Sequence, residues 1–161
     1  MRALPLVLAL LAYSAPVAAK DSLGVFSGWA AFRDPSVPRC YAIAKPEPSK
    51  LERDYEPYAT VSTWPEKNIR GQFHLRLSRK VAETRSITLI INSRRFALTG
   101  GGGDAWAKDA AMDAAIVATM RGARRMIVSA TDTRGRRFSN TYQLAGVATA
   151  LDAATVGCAR R

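Results

Sequence analysis

Apolar and polar residues alternate along much of this chain, and a period of two predicts strands. Gly71 to Ser78 alternates most cleanly, with Phe73, Leu75 and Leu77 on one face and Gln72, His74 and Arg76 on the other. Tyr58 to Trp64 follows the same pattern, is rich in β-branched and aromatic residues, and stops at Pro65. Upstream, the stretch from Leu23 to Ala44 reads as two short strands, one around Phe26, Trp29 and Phe32 and one around Tyr41, Ala42 and Ile43. Asp34-Pro35 and Val37-Pro38 mark the turn between them. Ser86 to Ile91 is a continuous β-branched run, the pattern of a strand buried on both faces, and Asn92-Ser93 turns it into Arg95 to Leu98 as a hairpin. Met126 to Ala130 and Arg137 to Tyr142 flank Asp132-Thr133-Arg134-Gly135 as a further hairpin.

The period changes in two places. Asp109 to Met120 carries Met112, Ala115, Ile116 and Met120 at helical spacing and meets a stop at Gly122. Gly146 to Val156 fits a closing helix with Val147, Ala150, Leu151 and Ala154 on one face. Lys45 to Glu56 has prolines and mixed charges without a period, so it is a loop, and Gly100 to Gly103 reads as a flexible strand-to-helix connection. Many short strands with two small helices predict a mainly β fold, an antiparallel β-sandwich with two short helices.

The first residues follow a different logic. Arg2, an apolar core from Leu4 to Ala12, and the small residues Val17-Ala18-Ala19 form the pattern of a cleaved secretory signal peptide over residues 1–19. The apolar run is too short to span a bilayer, and Lys20 rather than cysteine follows the cleavage point, so no lipid anchor is expected. Residues 20–161 then make one domain, periplasmic or secreted from a bacterium, without a transmembrane segment.

Composition sharpens this picture. Apolar residues make up 48% of the chain, which excludes a disordered segment. The net charge is +11, so anionic partners are expected. Export turns that expectation away from nucleic acid and toward an anionic envelope component or an acidic partner protein. The arginines at turns and strand ends are the candidate contacts: Arg94 and Arg95, Arg124 and Arg125, and Arg134, Arg136 and Arg137. At such positions a guanidinium can grip phosphate or carboxylate with two parallel hydrogen bonds. The pairing of the last two strands would put the second and third clusters on one hairpin.

Cys40 and Cys158 are the only cysteines, and in an oxidising compartment they are most simply one disulfide; intermolecular pairing and free thiols are the alternatives. No C-x-x-C redox pair occurs. Catalytic chemistry has little to build on. His74 is the single histidine, on the polar face of its strand and expected at the surface, and no metal-ligand spacing surrounds it. Neither a G-x-S-x-G elbow nor an S-x-x-K motif is present, and the glycine run leads into Asp104 where a phosphate loop needs Gly-Lys-Ser/Thr. Asp109 and Asp113, one turn apart at a helix start, suit the helix dipole. No cofactor and no metal are expected.

Several short segments carry a family resemblance. Gly28-Trp29, Arg39-Cys40-Tyr41-Ala42-Ile43, Phe96-Ala97-Leu98, Trp106, Asp113-Ala114-Ala115-Ile116-Val117, Met126-Ile127-Val128, Arg134-Gly135, Tyr142-Gln143-Leu144-Ala145-Gly146 and Ala150-Leu151 occur in an order that resembles the invasion associated locus B family. The resemblance runs from Trp29 to Cys158. It implies a β-rich exported envelope protein of alphaproteobacteria, named for an association with host-cell invasion, and it implies no catalytic residues. The expected function is therefore non-enzymatic binding of an anionic envelope component or protein partner. A hydrolase using His74 and a purely structural periplasmic protein are the alternatives.

Overall fold

A computed structural model describes residues 19–159; the signal-peptide reading of residues 1–19 therefore lies almost wholly outside the described residues. Within them the chain forms nine strands and two helices, and the strands are hydrogen-bonded, all antiparallel, into one continuous sheet. The mainly β architecture with two helices is as the sequence pattern predicts. In place of two separate sheets, the ladder runs through all nine strands in the order β1-β2-β3-β4-β5-β7-β6-β8-β9.

The N-terminal strands differ from expectation. Where the pattern predicts two, there are three: β1 (Asp21–Phe26), β2 (Trp29–Asp34) and β3 (Arg39–Ala44). Ser27, with φ of 55°, and Gly28 make a two-residue turn that pairs Phe26 with Trp29. A tight turn of this kind keeps the apolar spacing of Phe26 and Trp29 while reversing the chain between them.

β4 (Tyr58–Trp64) and β5 (Ile69–Val81) follow, then β6 (Ile87–Ile91) and β7 (Arg94–Trp106). β7 holds the sheet together. Its first half pairs with β6, from Leu98 opposite Ile87 to Arg94 opposite Ile91, and its second half pairs with β5, with Trp106 opposite His74 and Asp104 opposite Arg76. The glycine run is thus no flexible connection: Gly100 to Gly103 lie inside the strand at the point where it changes partner. Gly100 has φ of 150°, and a Cβ there would meet the Asp104 carbonyl oxygen at 2.1 Å, so only glycine allows the bend.

The bend brings β8 (Arg125–Thr131) and β9 (Arg137–Gln143) back toward the first strands. The Trp29 indole donates to the Gln143 carbonyl at 2.9 Å, the Glu47 amide donates to the Thr141 carbonyl at 2.7 Å, and Asn140 and Ser78 exchange two hydrogen bonds. The enclosed core draws on both halves, with Trp29, Phe73, Leu75 and Leu77 meeting Leu89, Met126, Val128 and Tyr142. The inward-facing residues of β5 match the predicted alternation, each fully buried. β6, by contrast, is buried on one face only: Ile87, Leu89 and Ile91 are inside, while Thr88 and Ile90 stay half-buried where they line an open depression.

α1 (Ala110–Arg121) starts where Asp109 accepts a 2.7 Å hydrogen bond from the Met112 amide and ends at Gly122. It sends Ile116 and Met120 into the core. Asp113, expected only to suit the helix dipole, also accepts a 2.7 Å bond from the Phe73 amide and so ties α1 to β5. α2 (Val147–Ala159) buries Val147, Ala150, Leu151 and Ala154, the face the sequence marks. Cys40 and Cys158 form a disulfide that fastens the last turn of α2 to β3 across 118 residues. Among the described residues no helix is long and apolar enough to cross a membrane.

Candidate functional site

The seven candidate arginines fall at two ends of the β7-β6-β8-β9 half. Arg94 and Arg95 open β7, Arg125 opens β8 with Arg124 just before it, and β6 lies between, with Ile91 opposite both Arg94 and Met126. Arg94 donates to the Thr119 hydroxyl of α1 at 2.9 Å. Arg134, Arg136 and Arg137 belong to the turn from β8 to β9. The expected shared hairpin exists, yet Arg125 pairs with Gln143 and Arg137 with Thr131, so the two clusters sit at its opposite ends, about 20 Å apart at the usual strand rise.

One of the seven is committed within the fold. The Asp132 carboxylate holds the Arg136 guanidinium at 3.0 Å and accepts the Arg134 and Arg136 amides, while Glu52 lies 3.6 Å from Arg136 on its other side. Asp132 also pairs with buried Arg79 at 2.8 Å. Burial alone would raise the Asp132 pKa; these donors outweigh it and hold the carboxyl well below the usual carboxylate range. Among the described residues, none of the other six arginines has a carboxylate within 4.0 Å.

Two of these unpaired arginines flank one surface. The outward side of β6, β8 and β9 forms an open depression of about 710 Å³, lined by Arg95 and Arg137 with the hydroxyls of Thr88, Ser129, Thr131 and Ser139. Every strand contributes by alternation. Met126, Val128 and Ala130 point into the core, which turns Ser129 and Thr131 outward, and Phe138 does the same for Arg137 and Ser139. No lining residue is acidic. Guanidinium groups and hydroxyls without a competing carboxylate can donate hydrogen bonds to a phosphate, sulfate or carboxylate group and to sugar hydroxyls. The arginines were legible in the sequence. The hydroxyl row was not singled out, although the outward positions of the last two strands carry it at a period of two.

His74 is not the exposed residue its polar face predicts. Its side chain keeps only 18% exposure, its Nε2 lies 3.0 Å from the Asp104 carboxylate, and Tyr58 and Trp106 stand 5.8 and 5.1 Å from its ring. Asp104 also accepts from Arg76, which lies over the Tyr55 ring. The pairing of β5 with β7 puts these residues opposite each other, which no local pattern in either strand displays. Burial lowers the His74 pKa, partly offset by Asp104, so the imidazole is neutral near pH 7. No hydroxyl or thiol hydrogen-bonds to the ring among the described residues.

Compared with protein-family models, with curated proteins and with solved structures, the chain matches none.

Proposed function

We propose that this chain is an exported, non-enzymatic envelope protein that holds an anionic envelope component, and that the depression between Arg95 and Arg137 is where it does so. The observation that carries the reading is the composition of that surface: two guanidinium groups with no carboxylate within 4.0 Å among the described residues, hydroxyls between them, and no acidic side chain in the lining. A glycan bearing phosphate, sulfate or carboxylate groups fits this chemistry best, since its charges meet arginine and its hydroxyls meet serine and threonine. The excess of basic charge steers such a ligand toward the protein. The disulfide supports an oxidising compartment, as does the signal-peptide pattern. The resemblance to the invasion associated locus B family points to the same setting and leaves a protein partner as the other anionic candidate. Capture of envelope extract on the purified protein at low and at high salt tests the reading: an anionic component retained only at low salt supports it, and retention insensitive to salt contradicts it.

Hydrolysis through His74 is the competing reading, and the His74–Asp104 pair at 3.0 Å is the observation in its favour. It requires a nucleophile beside the ring. A His74→Ala protein that keeps every detectable hydrolytic activity eliminates it.

A further inference from the structure

On the opposite side of the sheet from the arginine-flanked depression, α1 and α2 lie with a cleft of about 560 Å³ between them. Its floor is Val61 of β4 with Ile69 and Gly71 of β5, and its walls include Val117 and Ala118 of α1 and Leu151 and Ala154 of α2. Alanine at Ala114, Ala118 and Ala154 keeps the walls low, and the Cys40–Cys158 disulfide fixes the far end of the α2 wall, where Cys158 itself lines the cleft. The volume lies within the range of sites for small organic ligands, and the lining is mainly apolar as in such sites. From Ala114 to Arg121 and from Leu151 to Ala159 the walls run about 10–12 Å at the helical rise, long enough to lie beside a medium-length alkyl chain.

The rim is basic. Arg70 lines the cleft, is exposed, and among the described residues has no carboxylate within 4.0 Å. Arg121 lines it too, but is held by Asp152 of α2 at 2.7 Å. At one end Trp64 carries the Lys67 ammonium 4.9 Å from its ring centre; Glu66, exposed in the same turn, does not line the cleft. An apolar cleft with an unpaired guanidinium at its rim complements an alkyl chain that ends in an acid.

We infer that the cleft between α1 and α2 binds a single-chain anionic amphiphile, its alkyl chain lying along Val61, Ile69, Val117 and Leu151 and its acid group meeting Arg70. A free fatty acid and a single-chain anionic phospholipid share this chemistry. The site is separate from the depression and does not rest on the function proposed for it.

The test uses protein produced from the full chain with export in a bacterial host, titrated calorimetrically below the micelle concentration with the straight-chain carboxylates from hexanoate to tetradecanoate. Decyl phosphate, decanol and a lysophosphatidylglycerol are titrated alongside. Affinity should rise about four-fold per added methylene until the cleft is filled. Decyl phosphate should bind as decanoate does and decanol at least ten-fold more weakly, while lysophosphatidylglycerol distinguishes a lipid ligand from a free acid. Ala118→Phe, on an exposed wall position, should abolish binding without lowering Tm, and Ala114→Phe serves if that variant does not fold. Arg70→Ala should bring decanoate down to decanol. Affinity that ignores chain length, or binding that survives both phenylalanine variants, overturns the inference. An Arg95→Ala/Arg137→Ala protein should bind decanoate unchanged, so failure here and failure of the depression are read apart.

Discussion

The Asp132 carboxylate lies 2.8 Å from the Arg79 guanidinium, with both side chains buried, and the same carboxylate draws in Arg136 at 3.0 Å. One acid thus pairs with two arginines, closes the β8–β9 turn through the Arg134 and Arg136 amides, and leaves Arg137 on the next outward position without a carboxylate partner. Folding sorts the arginines of this turn into one that holds the structure and two that face solvent.

Asp132 should make the fold acid-sensitive. Its folded-state pKa is depressed, so its contribution is fully present above the unfolded value of about 3.9 and is lost as pH falls toward the folded one. Thermal melts should therefore show a steep loss of Tm below about pH 4. Asp132→Asn should lower Tm by several degrees at neutral pH, because Arg79 is left buried without its counter-charge, and should flatten that acid limb. An unchanged melting curve would refute the assigned role.

His74 should act earlier on the pH scale. Its folded-state pKa is lowered chiefly by burial, so below the unfolded value of about 6.5 the unfolded chain takes the proton first. Stability should fall modestly as pH drops from neutral through that value, then level off below the folded pKa. His74→Gln should remove this component while leaving the Asp132 limb in place, as chemical denaturation at a series of pH values can show.

The disulfide should be worth about 2–5 kcal/mol, a large share of what a small domain has. Urea unfolding of Cys40→Ala/Cys158→Ala against the oxidised parent measures it. The last turn of α2 should become the fastest exchanging part of the helix in hydrogen-exchange experiments on the variant, since its fastening to β3 is gone.

Asp113 joins α1 to β5 through a single acceptor. Asp113→Ala leaves the Phe73 amide without a partner and should cost about 1–3 kcal/mol, whereas Asp113→Asn keeps a carbonyl oxygen and should cost less. Burial raises the Asp113 pKa, so the carboxylate form is the strained one and the asparagine variant is the milder change.

What could be read in the sequence was what local periodicity encodes. Phe73, Leu75 and Leu77 announced β5 and its buried face, Ile116 and Met120 announced the inner side of α1, and Gly122 its end. Two cysteines behind a signal-peptide pattern made the Cys40–Cys158 disulfide the simplest pairing. Features that depend on partners distant in sequence could not be seen. His74 looks exposed until β7 places Asp104 and Trp106 beside it, and Gly100 to Gly103 look like slack chain until the sheet needs a strand to change partners there. Thr88, Ser129 and Ser139 become a surface only when β6, β8 and β9 are laid side by side.

The central claim is that Arg95 and Arg137 form an anion site and do not merely add to net charge. Binding of dextran sulfate and of neutral dextran, measured calorimetrically at low salt, tests it against a charge-matched control. Arg95→Ala/Arg137→Ala and Arg85→Ala/Lys108→Ala remove the same charge, but only the first pair touches the depression. Each lost charge-assisted hydrogen bond is worth about 1.5–3 kcal/mol, so the first variant should bind dextran sulfate at least ten-fold more weakly than the second, and neutral dextran should bind weakly to all. Equal affinity of the two variants would contradict the account, because net charge alone would then explain the binding.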